Sequence, residues 1–225
     1  CAINGDVNEF KKTIKEKKII KDFIPSFNTE ITLKDSKINF NASESINGDY
    51  SFKLNGKVKF DEKFEKIKIN KFYKKKDKKY SVDGSLTLEG SSLNISKLNY
   101  KKEKNEQANL IFNTNFILGK YFFIENLTYV HDQSEIILNK IKLSKNLEVT
   151  DFKDLKIKTY DEKLKNNHFS IKKSDKIVIL GEIFDAEPLL KSLYKKSSGK
   201  IFSKEFKGNL KVNFDKAITG TNDNI

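Results

Sequence analysis

Two histidines, His131 and His168, and one cysteine, Cys1, are the only imidazole and thiol groups in a chain of 225 residues. Neither histidine has an acidic or thiol motif beside it, and no spacing matches a metal site. There is no glycine-rich phosphate loop and no nucleophile elbow. Carboxylates are plentiful enough for a glycosidase-type pair, yet they are scattered among lysines on faces expected to be solvated. A single cysteine allows no intrachain disulfide. The sequence therefore points away from an enzyme and toward a protein without cofactor or metal, whose chemistry is that of a surface.

That surface has a pattern. An apolar-x-apolar-x-polar-apolar hexad begins at residues 67, 93, 122 and 147. Its apolar pairs are Ile67 and Ile69, Leu93 and Ile95, Phe122 and Ile124, Leu147 and Val149. Spacings of 25 to 29 residues fit a repeat architecture in which each unit buries its apolar face against its neighbours. Alternation within each copy predicts strands. The third apolar residue (Phe72, Leu98, Leu127, Phe152) has the opposite parity, which predicts either a bulge at one height on successive strands or a tight turn.

Residues 6–21 read as a helix, with Asp6 as N-cap and a stripe of Phe10, Ile14 and Ile19 or Ile20. It would cap a sheet or lie on a membrane. From Ile31 onward period-two alternation takes over. Asn47-Gly48 and Asn55-Gly56 are expected as hairpin turns. No βαβ crossover is evident, so the expectation is an antiparallel meander. A short helix is expected at 186–194, capped by Asp185, with Pro188 in its first turn and Leu189, Leu190 and Leu193 facing the sheet. The division is an N-terminal helical segment at 1–25 and a repeating β-groove domain at 26–225, as part of a longer protein.

The net charge is +13, with no arginine in the sequence. Lysine is a point charge without the bidentate fork that reads phosphates and bases, so nucleic acid is not the expected partner. Diffuse lysines suffice for an anionic lipid surface. No apolar run is long enough to span a bilayer. Cys1 admits two readings, the lipid-bearing first residue of a mature bacterial lipoprotein or a boundary within a larger protein.

The segment Gly181-Glu182-Ile183-Phe184-Asp185-Ala186-Glu187-Pro188-Leu189-Leu190-Lys191-Ser192-Leu193 resembles an element of AsmA-like proteins, where a strand ending in glycine precedes an Asp-Ala-x-Pro-Leu-Leu helix. The strand at 209–215 and the Ala217-Ile218-Thr219-Gly220 that follows are also similar to that family. The preceding apolar ladder resembles the repeats of its AsmA, TamB and YhdP relatives. The resemblance implies a large periplasmic protein of Gram-negative bacteria, anchored in the inner membrane by regions outside this chain. Its repeated strands would form a groove that conducts phospholipids toward the outer membrane. It implies no catalytic residues.

Physics reaches the groove separately, because a sheet apolar on one face must cover that face with a sheet, a helix or a ligand. The fold expected is mainly β, a long antiparallel meander curved into an open half-barrel, with a folded-over filled sandwich as the alternative. In the open form Ile67, Ile69, Leu93, Ile95, Phe122, Ile124, Leu147 and Val149 line the groove for acyl chains. The competing function is a lipoprotein attached through Cys1 that binds another protein on its β face. A nonspecific polyanion binder is the third.

Overall fold

A computed structural model describes residues 1–15, 18–42, 48–145, 148–161, 164–194 and 209–220. The chain is mainly β. The strands are β1 (Ala2–Thr13), β2 (Glu30–Ala42), β3 (Tyr50–Lys59), β4 (Phe64–Lys74), β5 (Lys79–Thr87), β6 (Leu93–Ile95), β7 (Tyr100–Lys102) and β8 (Ala108–Ile117). They continue with β9 (Tyr121–His131), β10 (Ser134–Leu143), β11 (Val149–Asp151), β12 (Asp154–Asp161), β13 (Leu164–Lys173), β14 (Lys176–Asp185) and β15 (Asn209–Ile218). The helices are α1 (Lys18–Phe23) and α2 (Glu187–Tyr194), with a 3-10 turn at Ser96–Leu98.

Thirteen strands form one curved sheet that does not close into a barrel, in the order β1-β2-β3-β4-β5-β8-β9-β10-β12-β13-β14-β15 with β11 paired beside β10. Every pairing is antiparallel except β14 with β15, which run parallel. That last step, β14-α2-β15, is a crossover through a helix, the connection a parallel pair requires; the expectation of a pure meander is corrected there. β6 and β7 form a separate two-stranded sheet inside an insertion, residues 88–107, between β5 and β8.

The helix expected at 6–21 is instead an edge strand. β1 pairs residue by residue with β2, from Ala2 opposite Asn41 to Thr13 opposite Glu30, and only Lys18–Phe23 is helical. A long partner strand supplies a full ladder of hydrogen bonds, which outweighs an uneven helical stripe. Asn55-Gly56 is likewise not a turn but lies inside β3. Gly56 serves a close approach. Asp35, at φ 48°, opens a bulge in β2, and the following Ser36 sits where a Gly56 Cβ would be, 2.0 Å from its Oγ. The Asn47-Gly48 turn falls partly outside the described residues; Gly48 itself has φ 60°.

The four hexads are not structurally equivalent, so no bend recurs at one height. In β4 the register is unbroken and the parity flip simply turns Phe72 to the outside, 44% exposed. In the second copy the flip is the 3-10 turn after β6, and in the third it is a bulge at Glu125 of β9. The fourth falls on β11 beside the main path, with Phe152 buried after it; its Leu147 lies outside the described residues.

Curvature follows from what the insertion touches. α1 packs on β6, and Ile24 and Phe27 join the core from the β2 side. From the far side, Asn167 of β13 donates to the Leu98 carbonyl at 2.7 Å, and Asn166 donates to the Leu98 and Asn99 carbonyls at 3.1 and 2.9 Å. In a flat sheet β2 and β13 would stand about 38 Å apart. One short insertion reaches both, so the sheet curls around it. The core is the resulting contact of Leu88, Tyr100 and Ala108 with Val58, Tyr129, Ile136, Ile157 and Phe169.

Candidate functional site

The concave face is built from alternate residues, and the ladder registers place them in rows. The row nearest the hairpin tips is Tyr50, Tyr73, Tyr80, Phe116 and Phe122, paired in turn across β3, β4, β5, β8 and β9. Their ring centroids are 5.0, 4.6, 4.9 and 5.7 Å apart, and Phe40 of β2 extends the series to Tyr50 at 5.6 Å. Cross-strand aromatic pairs of this kind stabilise a sheet while leaving their ring edges available. Two further rows lie below, Phe52-Lys71-Val82-Thr114-Ile124 and Leu54-Ile69-Gly84-Phe112-Leu127.

From β3 to β8 these three rows stand outside the core built around the insertion, whose packing lies at the opposite end of the strands. Tyr50, Tyr73, Tyr80 and Phe116 are half-buried. Among the described residues these rows hold one cation. Lys71 places its Nζ 5.5 Å from the Tyr50 ring centre and 4.8 Å from that of Tyr80, with no carboxylate partner among the described residues. Partial burial, and then a hydrogen bond with Tyr50, hold the Tyr80 phenol above its ordinary pKa. At the tips, Tyr73, Tyr80, Ile117 and Leu118 line a pocket of about 600 Å³, rimmed by Lys76, Asp77, Lys78 and Lys120.

The other end of the face is filled and polar where it must be. Glu65, 2% exposed, accepts the backbone N–H of Gly90 at 2.6 Å and of Glu89 at 2.9 Å. Lys102, fully buried, donates to the Ser91 and Glu103 carbonyls at 2.7 and 2.9 Å, and burial lowers its pKa. Tyr100 bridges the Tyr129 hydroxyl at 2.9 Å and His131 Nδ1 at 2.7 Å, while His131 Nε2 meets Glu106 at 3.2 Å. Burial pushes the Tyr100 phenol up to about 12 and lowers the His131 pKa. The arrangement fits a neutral imidazole, its Nε2–H donating to Glu106 and its Nδ1 accepting from Tyr100. Glu65, Tyr129 and His131 clamp the insertion to the sheet, and Lys102 braces the insertion internally.

The sequence-derived lining residues divide among these regions. Ile69 and Phe122 lie in the uncovered rows, whereas Ile67 packs against the core cluster. Leu93 and Ile95 belong to the insertion and pack inward, so they fill the trough and do not wall it. Ile124 and Val149 pack on a second cluster around Ile141, Phe152 and Ile177. Asp185 holds its expected place, accepting the Glu187 backbone N–H at 3.0 Å ahead of Pro188 in α2, and it also accepts from Asn99 at 3.0 Å. The Leu193 side chain lies outside the described residues. Cys1 is exposed at the hairpin-tip end, with Ala2, Ala42 and Tyr50.

Most of the aromatic row lies outside the hexads, although the sequence carries a signal for it. Tyr73 and Tyr80 bracket one loop and Phe116 and Phe122 bracket another, an aromatic-loop-aromatic pattern that places rings opposite each other in a hairpin. Among the described residues no cluster of His, Cys, Asp and Glu could hold a metal ion. Comparison with protein-family models, with curated proteins and with solved structures finds no match.

Proposed function

We propose that the uncovered rows of the concave face hold phospholipid acyl chains, and that the chain is a non-enzymatic, lipid-binding segment of a cell-envelope protein. The observation that carries this reading is an apolar and aromatic face on the inside of a curved sheet that, from β3 to β8, belongs to neither core cluster, with Leu54 and Thr114 its only buried members among the described residues. From β3 to β8 it runs about 14 Å across the strands, and each methylene laid on it gains about 0.8 kcal/mol. Lys71 supplies one positive charge for an anionic head group. In the larger setting implied by the AsmA-like resemblance, the segment would sit in the periplasm and pass phospholipids between the inner and outer membranes. No described helix is long and apolar enough to cross a membrane, so an inner-membrane anchor would belong to regions outside this chain.

A photoreactive amino acid placed at Phe116 or Ile69 tests the reading, with the outward-facing Ile111 as control. Phospholipid crosslinked at the first two positions and not at the third is the expected result. Absence of lipid from natively purified protein, together with no crosslink at Phe116 or Ile69, would sink it. A second reading, a lipoprotein anchored at Cys1 that binds another protein, draws on the exposure of Cys1 beside the basic tips. Mass spectrometry of native protein separates the two, since a diacylglyceryl group on Cys1 supports the lipoprotein and residues preceding Cys1 exclude it.

A further inference from the structure

The loop between β4 and β5, residues 74–79, carries five lysines and one aspartate. Among the described residues only Lys74 of these lysines has a carboxylate partner, Asp77 at 2.9 Å. The register brings this loop beside the β8-β9 tip, where Leu118 is 70% exposed next to Lys120, and the two tips share the pocket lined by Tyr73, Tyr80 and Ile117. The opposite end of the sheet has another character. There Lys63 pairs with Glu89, Lys101 with Glu103 and Lys104 with Glu62, among further carboxylates at Asp61, Glu106 and Asp132. The β4-β5 and β8-β9 tips therefore carry a local excess of lysine, at the end where the aromatic row reaches the surface and a large apolar side chain protrudes.

We infer that this hairpin-tip end docks on an anionic phospholipid bilayer, with the lysines at the head groups and Leu118 inserted below them. Unpaired lysines are attracted to an anionic lipid surface, and an apolar side chain beside them adds insertion that a purely electrostatic site lacks. Nucleic acid fits less well. Its readers use arginine forks and free stacking aromatics, while this patch has lysine without arginine, tyrosine rings already packed against one another and Phe116, and a projecting leucine. The docking stands apart from occupancy of the trough, because it needs only the tips.

The sequence contains no tryptophan, so Leu118→Trp creates a single fluorescent reporter, with Ile111→Trp as the control on the outer face. Vesicles of phosphatidylglycerol are compared with vesicles of phosphatidylcholine. The expected result is a blue shift of the Leu118→Trp emission on phosphatidylglycerol only, with none for the control. Two charge-matched triple variants then locate the surface: Lys75→Gln, Lys76→Gln, Lys78→Gln against Lys63→Gln, Lys101→Gln, Lys104→Gln. The first should weaken vesicle binding at least about tenfold, and the second should leave it within about twofold. Equal losses in both triples, no blue shift at residue 118, or displacement from vesicles by duplex DNA at matched charge concentration would each overturn the docking face. Normal docking with no lipid crosslinked at Phe116 would instead count against the trough alone.

Discussion

Gly56 and His131 show how single groups set the limits of this fold. A methyl at Gly56 would meet Ser36 Oγ at 2.0 Å and the Ser36 Cα at 2.6 Å, and the backbone contact cannot swing aside. Gly56→Ala is expected to cost about 1–3 kcal/mol, read as a lower urea midpoint at unchanged slope. His131 acts through protonation. Its folded pKa lies below the ordinary 6.5 because burial disfavours the cation. As pH falls through that value the unfolded chain takes up a proton that the folded chain resists, so stability is full above about 6.5 and declines on acidification. Protonation would also remove the lone pair to which Tyr100 donates. Denaturation curves across this range should fall with pH in the native sequence and fall less steeply in His131→Asn. Neither effect was legible in the sequence. Asn55-Gly56 reads as a turn until the bulge at Asp35 is seen, and His131 reads as a lone surface residue until Tyr100 and Glu106 arrive from the insertion.

At the level of elements, strands were read well wherever one face is buried and the other wet. β8 alternates Ala108, Leu110, Phe112, Thr114 and Phe116 inward against Asn109, Ile111, Asn113 and Asn115 outward. Outward amides also lock the register, as Asn126 donates to Asn139 and Asn139 to Asp154, both at 2.7 Å. β1 was misread because an edge strand carries little alternation; almost all of its residues are exposed. The strand, helix and strand of the crossover are each legible, but not the parallel pairing of β15 with β14, because which neighbour a strand pairs with leaves no local pattern. The Asp185 cap was visible in advance, but its second bond was not, since Asn99 lies 86 residues away. Asp185→Ala therefore removes a helix cap and a clamp on the insertion together. A loss of about 1–3 kcal/mol is expected, with Asn99→Ala recovering part of the same loss in a double-mutant cycle.

For the whole molecule, the choice between an open trough and a filled sandwich has a divided answer. The concave face is filled near the insertion and lies outside the core near the tips, a split with no direct sign in the sequence because the insertion's own strands alternate like wall strands. Leu93 and Ile95 have the right residue types for a lining and sit in the wrong layer. The insertion has one more property. β5 and β8 are direct antiparallel neighbours, with Thr87 opposite Asn109, so the chain needs only a tight hairpin there and spends residues 88–107 on something else. In effect the protein carries a tethered occupant for half of its own cavity, held at an effective concentration that no free lipid matches. Replacing residues 89–107 with Asn-Gly should keep the strand signal in circular dichroism while raising the binding of an apolar dye. The stopper and the vessel are thus separable parts of one gene product, and the length of that insertion sets how much of the bore remains available to a guest.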